Sequence, residues 1–220
     1  LQSGQDERVS GEYWLGGMNA MEVQASDLAG IVGVVFQDPE KSIVQERVED
    51  EIAMGPENMC VPAEEIEHRI EQALSAVELS EMRNHKTNHL SGGQMQRINI
   101  ASMLAMKPQV IVLDDAAANL DTEASARLLE TLVSLHKKGH TILAMTSRFH
   151  DAEPSDRLVV MHKGRILADG ERKQVLNDWG TRLVALGCLP GAPLEPKSAE
   201  REKLELEIPG KPFSGGSGNL

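Results

Sequence analysis

The stretch Leu90–Asp115, LSGGQMQRINIASMLAMKPQVIVLDD, decides how the rest of the chain is read. It opens on Ser91 and the pair Gly92-Gly93, continues as a helix to about Met106, and is stopped by Pro108. It closes on the apolar run Val110–Leu113, with Asp114 and Asp115 directly after it. Glycines at the head of a helix let backbone N–H groups approach an anion, and the helix dipole and a serine hydroxyl add to the attraction. A short apolar run reads as a buried parallel strand, and its carboxyl end is the edge where α/β proteins bind ligands. One carboxylate at that edge can hold Mg²⁺ through water, and the next can orient or deprotonate an attacking water. Each motif alone also fits a capped helix or a solvated turn. The interval of 20 residues from Ser91 to Ile111, filled by a helix, ties them together.

Upstream, Ile31–Phe36 (IVGVVF) is a second buried strand, and a short strand is expected around Glu12–Leu15 in a polar, Gly-rich stretch. Residues 43–85 change character. Val48–Met54 fits a short helix, and Pro62 opens a clearer one. In it Ile66, Ile70, Ala73, Leu74 and Val77 recur at helical spacing among Glu64, Glu65, Glu67 and Glu71. Downstream, Asp121 is placed to cap a helix Thr122–Lys138 that closes on Lys137, Lys138 and Gly139. Thr141–Thr146 is a third strand, and Leu158–Met161 and Arg165–Ala168 flank Lys163-Gly164 as a hairpin. Strands alternating with helices predict an α/β domain with a largely parallel sheet and a helical insertion over 43–104. From about Gly187 the composition shifts: five of the ten prolines fall in 187–220, which reads as an extension or linker.

Composition bounds the function. The 220 residues are 40% hydrophobic but only 3% aromatic, so the core is aliphatic. A net charge of −12 argues against nucleic acid and against direct attraction to anionic lipid. Cys60 and Cys188 form neither a disulfide framework nor a zinc site by spacing, and a reduced, cytoplasmic setting is the plain reading. No apolar run approaches the ~20 residues of a membrane helix, and no signal peptide is visible. A link to a membrane therefore goes through a partner protein. The first residue is Leu1, so the true start is expected upstream. His68, His85, His89, His136, His140 and His162 read as surface residues.

Together these motifs resemble the ABC ATPases from about Ser10 to Leu176. LSGGQMQR resembles that family's signature loop, VIVLDD its Walker B strand, Ala118–Asp121 its D-loop, and Phe36-Gln37-Asp38-Pro39-Glu40 its Q-loop. Asp156-Arg157 and Lys163–Ile166 match the strands after its switch region. FQDPE followed by Val48–Gly55 is similar to the energy-coupling-factor and cobalt-type importers, which take up vitamins and metal ions.

The resemblance implies a P-loop NTPase-like α/β fold with its N-terminal part missing. It divides the chain into a core lobe of 1–42 and 105–180 and a helical signature subdomain of 43–104. It implies ATP and Mg²⁺ as ligands. Gln37, Ser91, Gly92, Gly93, Gln94 and Asp121 would contact nucleotide, Asp114 and Gln37 would hold the metal, and Asp115 and Ser147 would occupy the catalytic positions. The implied partners are a second ABC ATPase domain, separate or fused, and a transmembrane subunit. The implied place is the cytoplasmic face of the membrane, held peripherally.

Three departures from that family stand in the sequence. The phosphate loop G-x-x-x-x-G-K-[ST] is absent, since the one Gly-Lys pair, Gly210-Lys211, is followed by Pro212. That loop and its helix are expected upstream of Leu1. Asp115 stands where the family has glutamate, one methylene shorter, and a misplacement of about 1 Å can cost roughly 100-fold in rate. Ser147 stands where the switch histidine is expected, with His150 three residues on. Serine donates a hydrogen bond but carries no positive charge. The leading expectation is an importer ATPase domain that completes a partner's site with its signature and hydrolyses poorly at its own. The alternative is a non-catalytic, pseudo-ATPase interaction module of a transporter. A soluble ABC protein of DNA repair or translation fits less well, given the charge and the lack of long heptad repeats.

Overall fold

The computed structural model describes residues 11–186 apart from 20, 23 and 29. The expected extension at 187–220, with Cys188 and Gly210-Lys211, lies outside the described residues. In order the elements are β1 (Trp14–Leu15), β2 (Met18–Asn19), α1 (Ala25–Leu28), β3 (Val32–Val35), α2 (Pro39–Ser42), α3 (Val48–Asn58) and α4 (Ala63–Ala76). After them come α5 (Gly92–Ala105), β4 (Val110–Asp114), α6 (Thr122–Lys137), β5 (Thr141–Met145), β6 (Arg157–His162), β7 (Arg165–Glu171) and α7 (Arg172–Ala185). Short 3₁₀ turns cover 80–82, 87–89 and 149–152. Compactness divides the described chain into one unit of Tyr13–Ser147 and another of residues 11–12 and 148–186.

In the first unit β3, β4 and β5 form a parallel sheet in that order, as the three apolar runs predict. Register sets its two faces. Gly33 pairs with Ile111 and Val35 with Leu113, and all four are buried. Val34, Leu143 and Met145, on the alternate positions, are exposed. The buried face lies under α5 and α6, whose Ile98, Ile100, Leu128 and Leu135 share a continuous core with Ile111 and Leu113. Gly33 allows α5 to sit on β3, because a Cβ there would meet Met103 Cγ at 2.0 Å.

The expected helix opening at Pro62 is α4, capped by that proline, and its predicted stripe Ile66, Ile70, Ala73, Leu74 and Val77 is buried. It packs against α3 and α5. Each fully buried Ile or Leu of this stripe contributes on the order of 1.5–3 kcal/mol. The helices of 43–104 thus share one core with the sheet. Helix α3 runs past the expected end at Met54, through Gly55 and Pro56, because Ile52, Ala53 and Pro56 are buried in that core. Buried Glu51 accepts the Val44 and Gln45 N–H groups at 2.9 and 2.8 Å and so fixes the loop before α3.

In the second unit β6 and β7 form the expected antiparallel hairpin around Lys163-Gly164, with both turn residues at positive φ. Its inner face, Leu158, Leu167 and Ala168, packs on Val175, Leu183 and Leu186 in and just after α7, a helix the sequence reading did not anticipate. His68, His85, His89 and His136 are exposed as expected, whereas His140 and His162 are half-buried. No helix among the described residues is long and apolar enough to cross a membrane.

Candidate functional site

Ser91 is the N-cap of α5. Its Oγ accepts the Gln94 N–H at 3.3 Å, and Gln94 Oε1 accepts the Ser91 N–H at 2.8 Å. This reciprocal capping box satisfies two of the orphan donors at a helix start. Both side chains keep donors to spare: a hydroxyl accepting one bond still has its proton, and the Gln94 amide keeps its NH₂. Ser91 and Gly92 are exposed, so the loop can meet a ligand from outside the chain. Gly93 is half-buried and packs on α6; a Cβ there would meet Ala124 Cβ at 2.7 Å. Ala124 is itself fixed, because Asp121, the N-cap of α6, accepts its N–H at 2.8 Å. The carboxylate of Asp121 is therefore engaged as a helix cap, and the two helix starts are held together through a glycine.

Asp114 ends β4 and is exposed, in register with Met145. Asp115 follows at φ 48, a left-handed conformation that aspartate tolerates better than most residues. Its N–H donates to the Met145 carbonyl at 2.9 Å, which extends the ladder one step, and its own carbonyl accepts the Ala118 N–H at 2.9 Å. The turn so formed aims its carboxylate at Ser147. The Ser147 hydroxyl donates at 3.2 Å and its N–H at 3.4 Å. The structure thus brings together the two residues expected at the catalytic positions. A carboxylate has about four acceptor sites, so two donors leave capacity for a water.

Gln37 is exposed between β3 and α2. The backbone around it is tied down by three side-chain amides. Gln96 Nε2 donates to the Phe36 carbonyl at 3.0 Å, Asn119 Nδ2 to the Gln37 carbonyl at 3.5 Å, and Asn99 Nδ2 to the Pro39 carbonyl at 3.4 Å. The sequence reading passed over Gln96 and Asn99. Their signal was two amides at i and i+3 on a helix whose other buried positions are nearly all apolar. Beside Gln37, the Lys41 ammonium bonds Asp38 at 2.8 Å and holds its carboxyl below the usual range.

Among the described residues no three His, Cys, Asp or Glu side chains converge as a metal cage. Asp114 and Gln37 are both exposed and carry oxygen donors, the ligand type of an ion such as Mg²⁺ that keeps most of its waters. No hydrogen bond among the described residues joins Ser91 or Gln94 to Asp114, Asp115 or Gln37.

Comparison with known proteins identifies the family and the fold. The family model described as ABC transporter matches residues 2–118. The energy-coupling factor transporter ATP-binding protein EcfA of Methanosarcina acetivorans is 38% identical over 181 residues, 81% of this chain and 65% of that protein. EcfA of Methanocaldococcus jannaschii is 42% identical over 151 residues, 67% of this chain and 53% of that protein. The chain thus spans between half and two thirds of the length of these curated relatives. Among solved structures, cbiO1 from Clostridium perfringens, part of the ABC transporter complex cbiONQ, superposes with a TM-score of 0.63 at 30% identity. The superposition covers 74% of this chain and 68% of that one.

Proposed function

This chain belongs to the ABC transporter family, and from that premise we propose that it is an ATP-binding domain of an importer of the energy-coupling-factor or cobalt class. Its signature loop, Ser91–Gln94, completes an ATP site whose phosphates are held by a second such domain. The observation that carries this reading is the build of that loop. It is an intact, exposed helix start with spare donors, and it shares no hydrogen bond with the chain's own carboxylate edge. In the own site Asp114 and Gln37 would hold Mg²⁺ and Asp115 would orient water. A neutral Ser147 in place of histidine supplies no positive charge toward a γ-phosphate, so hydrolysis there is slow. We assign residues 43–104 as the signature subdomain and 1–42 with 105–180 as the core lobe. This division is by role: the helices of 43–104 share a core with β3 and β4, and residues from Arg148 belong to a unit with a core of its own. The domain binds a transmembrane subunit and so sits peripherally at the cytoplasmic face of the membrane, taking up a vitamin or metal ion.

The test is the ATPase rate of the reconstituted pair. Ser91→Arg places a bulky cation where the partner's γ-phosphate sits and is expected to abolish most turnover. Asp115→Asn is expected to change little. Turnover lost in Asp115→Asn and kept in Ser91→Arg would show that this chain's own site is the working one. The second reading, a non-catalytic module, draws on the bond between Asp115 and Ser147, which engages the carboxylate without a nucleotide. It is the outcome if both variants leave the pair's rate unchanged.

A further inference from the structure

Three side-chain amides hold the segment Phe36–Pro39 by its carbonyl groups, and two of them come from the signature helix. Gln96 is fully buried and spans from α5 to the Phe36 carbonyl at 3.0 Å. Asn99, one turn further along the same face, is 8% exposed and reaches the Pro39 carbonyl at 3.4 Å. Asn119 reaches the Gln37 carbonyl from the loop before α6 at 3.5 Å. Side chains three apart on a helix lie over one another, so Gln96 and Asn99 act as two adjacent rungs. Helix α2, which begins at Pro39, also packs on α5. Pro39 is buried, and a buried carbonyl that loses its donor is costly, which penalises motion of this end of the segment away from α5. The contacts bind backbone and so are indifferent to which side chains the segment carries. That is the arrangement expected of a mechanical link rather than of a ligand contact.

We infer that Gln96 and Asn99 are positioning residues that make the Gln37 segment and the signature helix move as one body. Displacement of Ser91–Gln94 by a nucleotide on the partner domain is thereby passed to Gln37, and the reverse. The inference rests on the functional reading above and goes beyond it. It names the residues that couple the partner's ATP site to this chain's own Gln37 edge.

The experiment has two arms. In the purified chain, hydrogen exchange is measured for amides 37–43 in wild type, Gln96→Met, Asn99→Ser and Ile70→Val. Methionine keeps the volume of Gln96 and removes its donor, while Ile70→Val loosens the same core away from the link. Exchange over 37–43 is expected to rise about tenfold in both link variants and to stay at the wild-type rate in Ile70→Val. In the complex with the second ATPase domain and the membrane subunit, substrate transported per ATP hydrolysed is measured for the same set. Both link variants are expected to lower that ratio by about threefold or more while ATP is still consumed. A purely structural role would lower transport and hydrolysis in proportion and leave the ratio alone. Unchanged exchange over 37–43 overturns the link itself, and a wild-type ratio in both link variants overturns the coupling. A wild-type complex that hydrolyses no ATP overturns the functional reading and the coupling with it. Should Gln96→Met not accumulate as folded protein, Asn99→Ser decides.

Discussion

Gly93→Ala tests whether the signature loop is held in place by its packing on α6. The added Cβ would stand 2.7 Å from Ala124 Cβ, closer than two carbons pack, so something must shift. Overpacking of this kind costs about 1–3 kcal/mol. Against it stands the gain from replacing glycine in a helix, at most about 1 kcal/mol and less in the first turn. If α6 yields instead, Ala124 moves off the Asp121 carboxylate that accepts its N–H at 2.8 Å, and loss of that cap costs about 1 kcal/mol. Strain gives a net loss of about 1–2 kcal/mol and loss of the cap a smaller one, under about 1 kcal/mol. Ala124→Gly alone should cost up to about 1 kcal/mol through helix propensity. The double variant exchanges the glycine and the alanine across the same contact, so it should return close to wild type, with a coupling energy of about 1–3 kcal/mol. Urea unfolding of the purified chain followed by far-ultraviolet circular dichroism measures all four corners of the cycle. Gly93→Ala at or above wild-type stability, or a double variant equal to the sum of the singles, would refute the packing argument.

Replacing Glu51 by alanine should destabilise the chain by about 1–3 kcal/mol, since two N–H groups lose their acceptor; thermal unfolding measures it. Arg69 and then Lys107 hold the Glu65 carboxyl below the usual glutamate range. Its contribution should be fully present above about pH 4.3 and lost as the pH falls through the lowered value. Urea midpoints of wild type and Glu65→Gln should therefore differ at neutral pH and converge in acid. The 220 residues contain no G-x-x-x-x-G-K-[ST], so the isolated chain should bind ATP weakly; micromolar, Mg²⁺-dependent binding in a titration of labelled nucleotide would contradict this. Asp115→Glu with Ser147→His should raise the turnover of the own site only where a phosphate loop is supplied, and the ATPase rate with and without that loop decides it.

Legibility followed the range of the contacts. The strands were readable because a buried parallel strand is a continuous apolar run, and Ile31–Phe36, Val110–Leu113 and Thr141–Thr146 each overlap a strand almost end to end. The caps at Ser91 and Asp121 were readable because their partners, Gln94 and Ala124, lie three residues on. Helix α7 was not, since Gly180 stands inside it and only Val175 and Leu183 along it are buried. The end of α3 was missed because Gly55-Pro56 is locally a stop, overridden by burial of Pro56 in the core. The hold on the Gln37 segment was missed because each bond spans 60 residues or more. Nothing local marks such a bond except that a helix buried on most sides carries two amides.

The same distinction bears on the two departures at the carboxylate edge. Asp115 and Ser147 lie 32 residues apart, with α6 and β5 between them, yet their side chains meet at 3.2 Å. A glutamate at 115 would carry its carboxylate about 1.5 Å further, one bond length, past a serine hydroxyl placed for aspartate. A histidine at 147 is longer than serine and would crowd the aspartate where the hydroxyl now fits. On the proposed reading each departure suits the other, so the pair would be one altered unit rather than two independent losses. Residues in direct contact are non-additive, and restoring one alone should recover less than its share of the pair. On the signature side the hydrogen bonds close within three residues, and the one long-range requirement argued for it is a glycine packed on Ala124. A chain under selection to serve a partner's nucleotide would keep those local bonds and let the long-range pair change together.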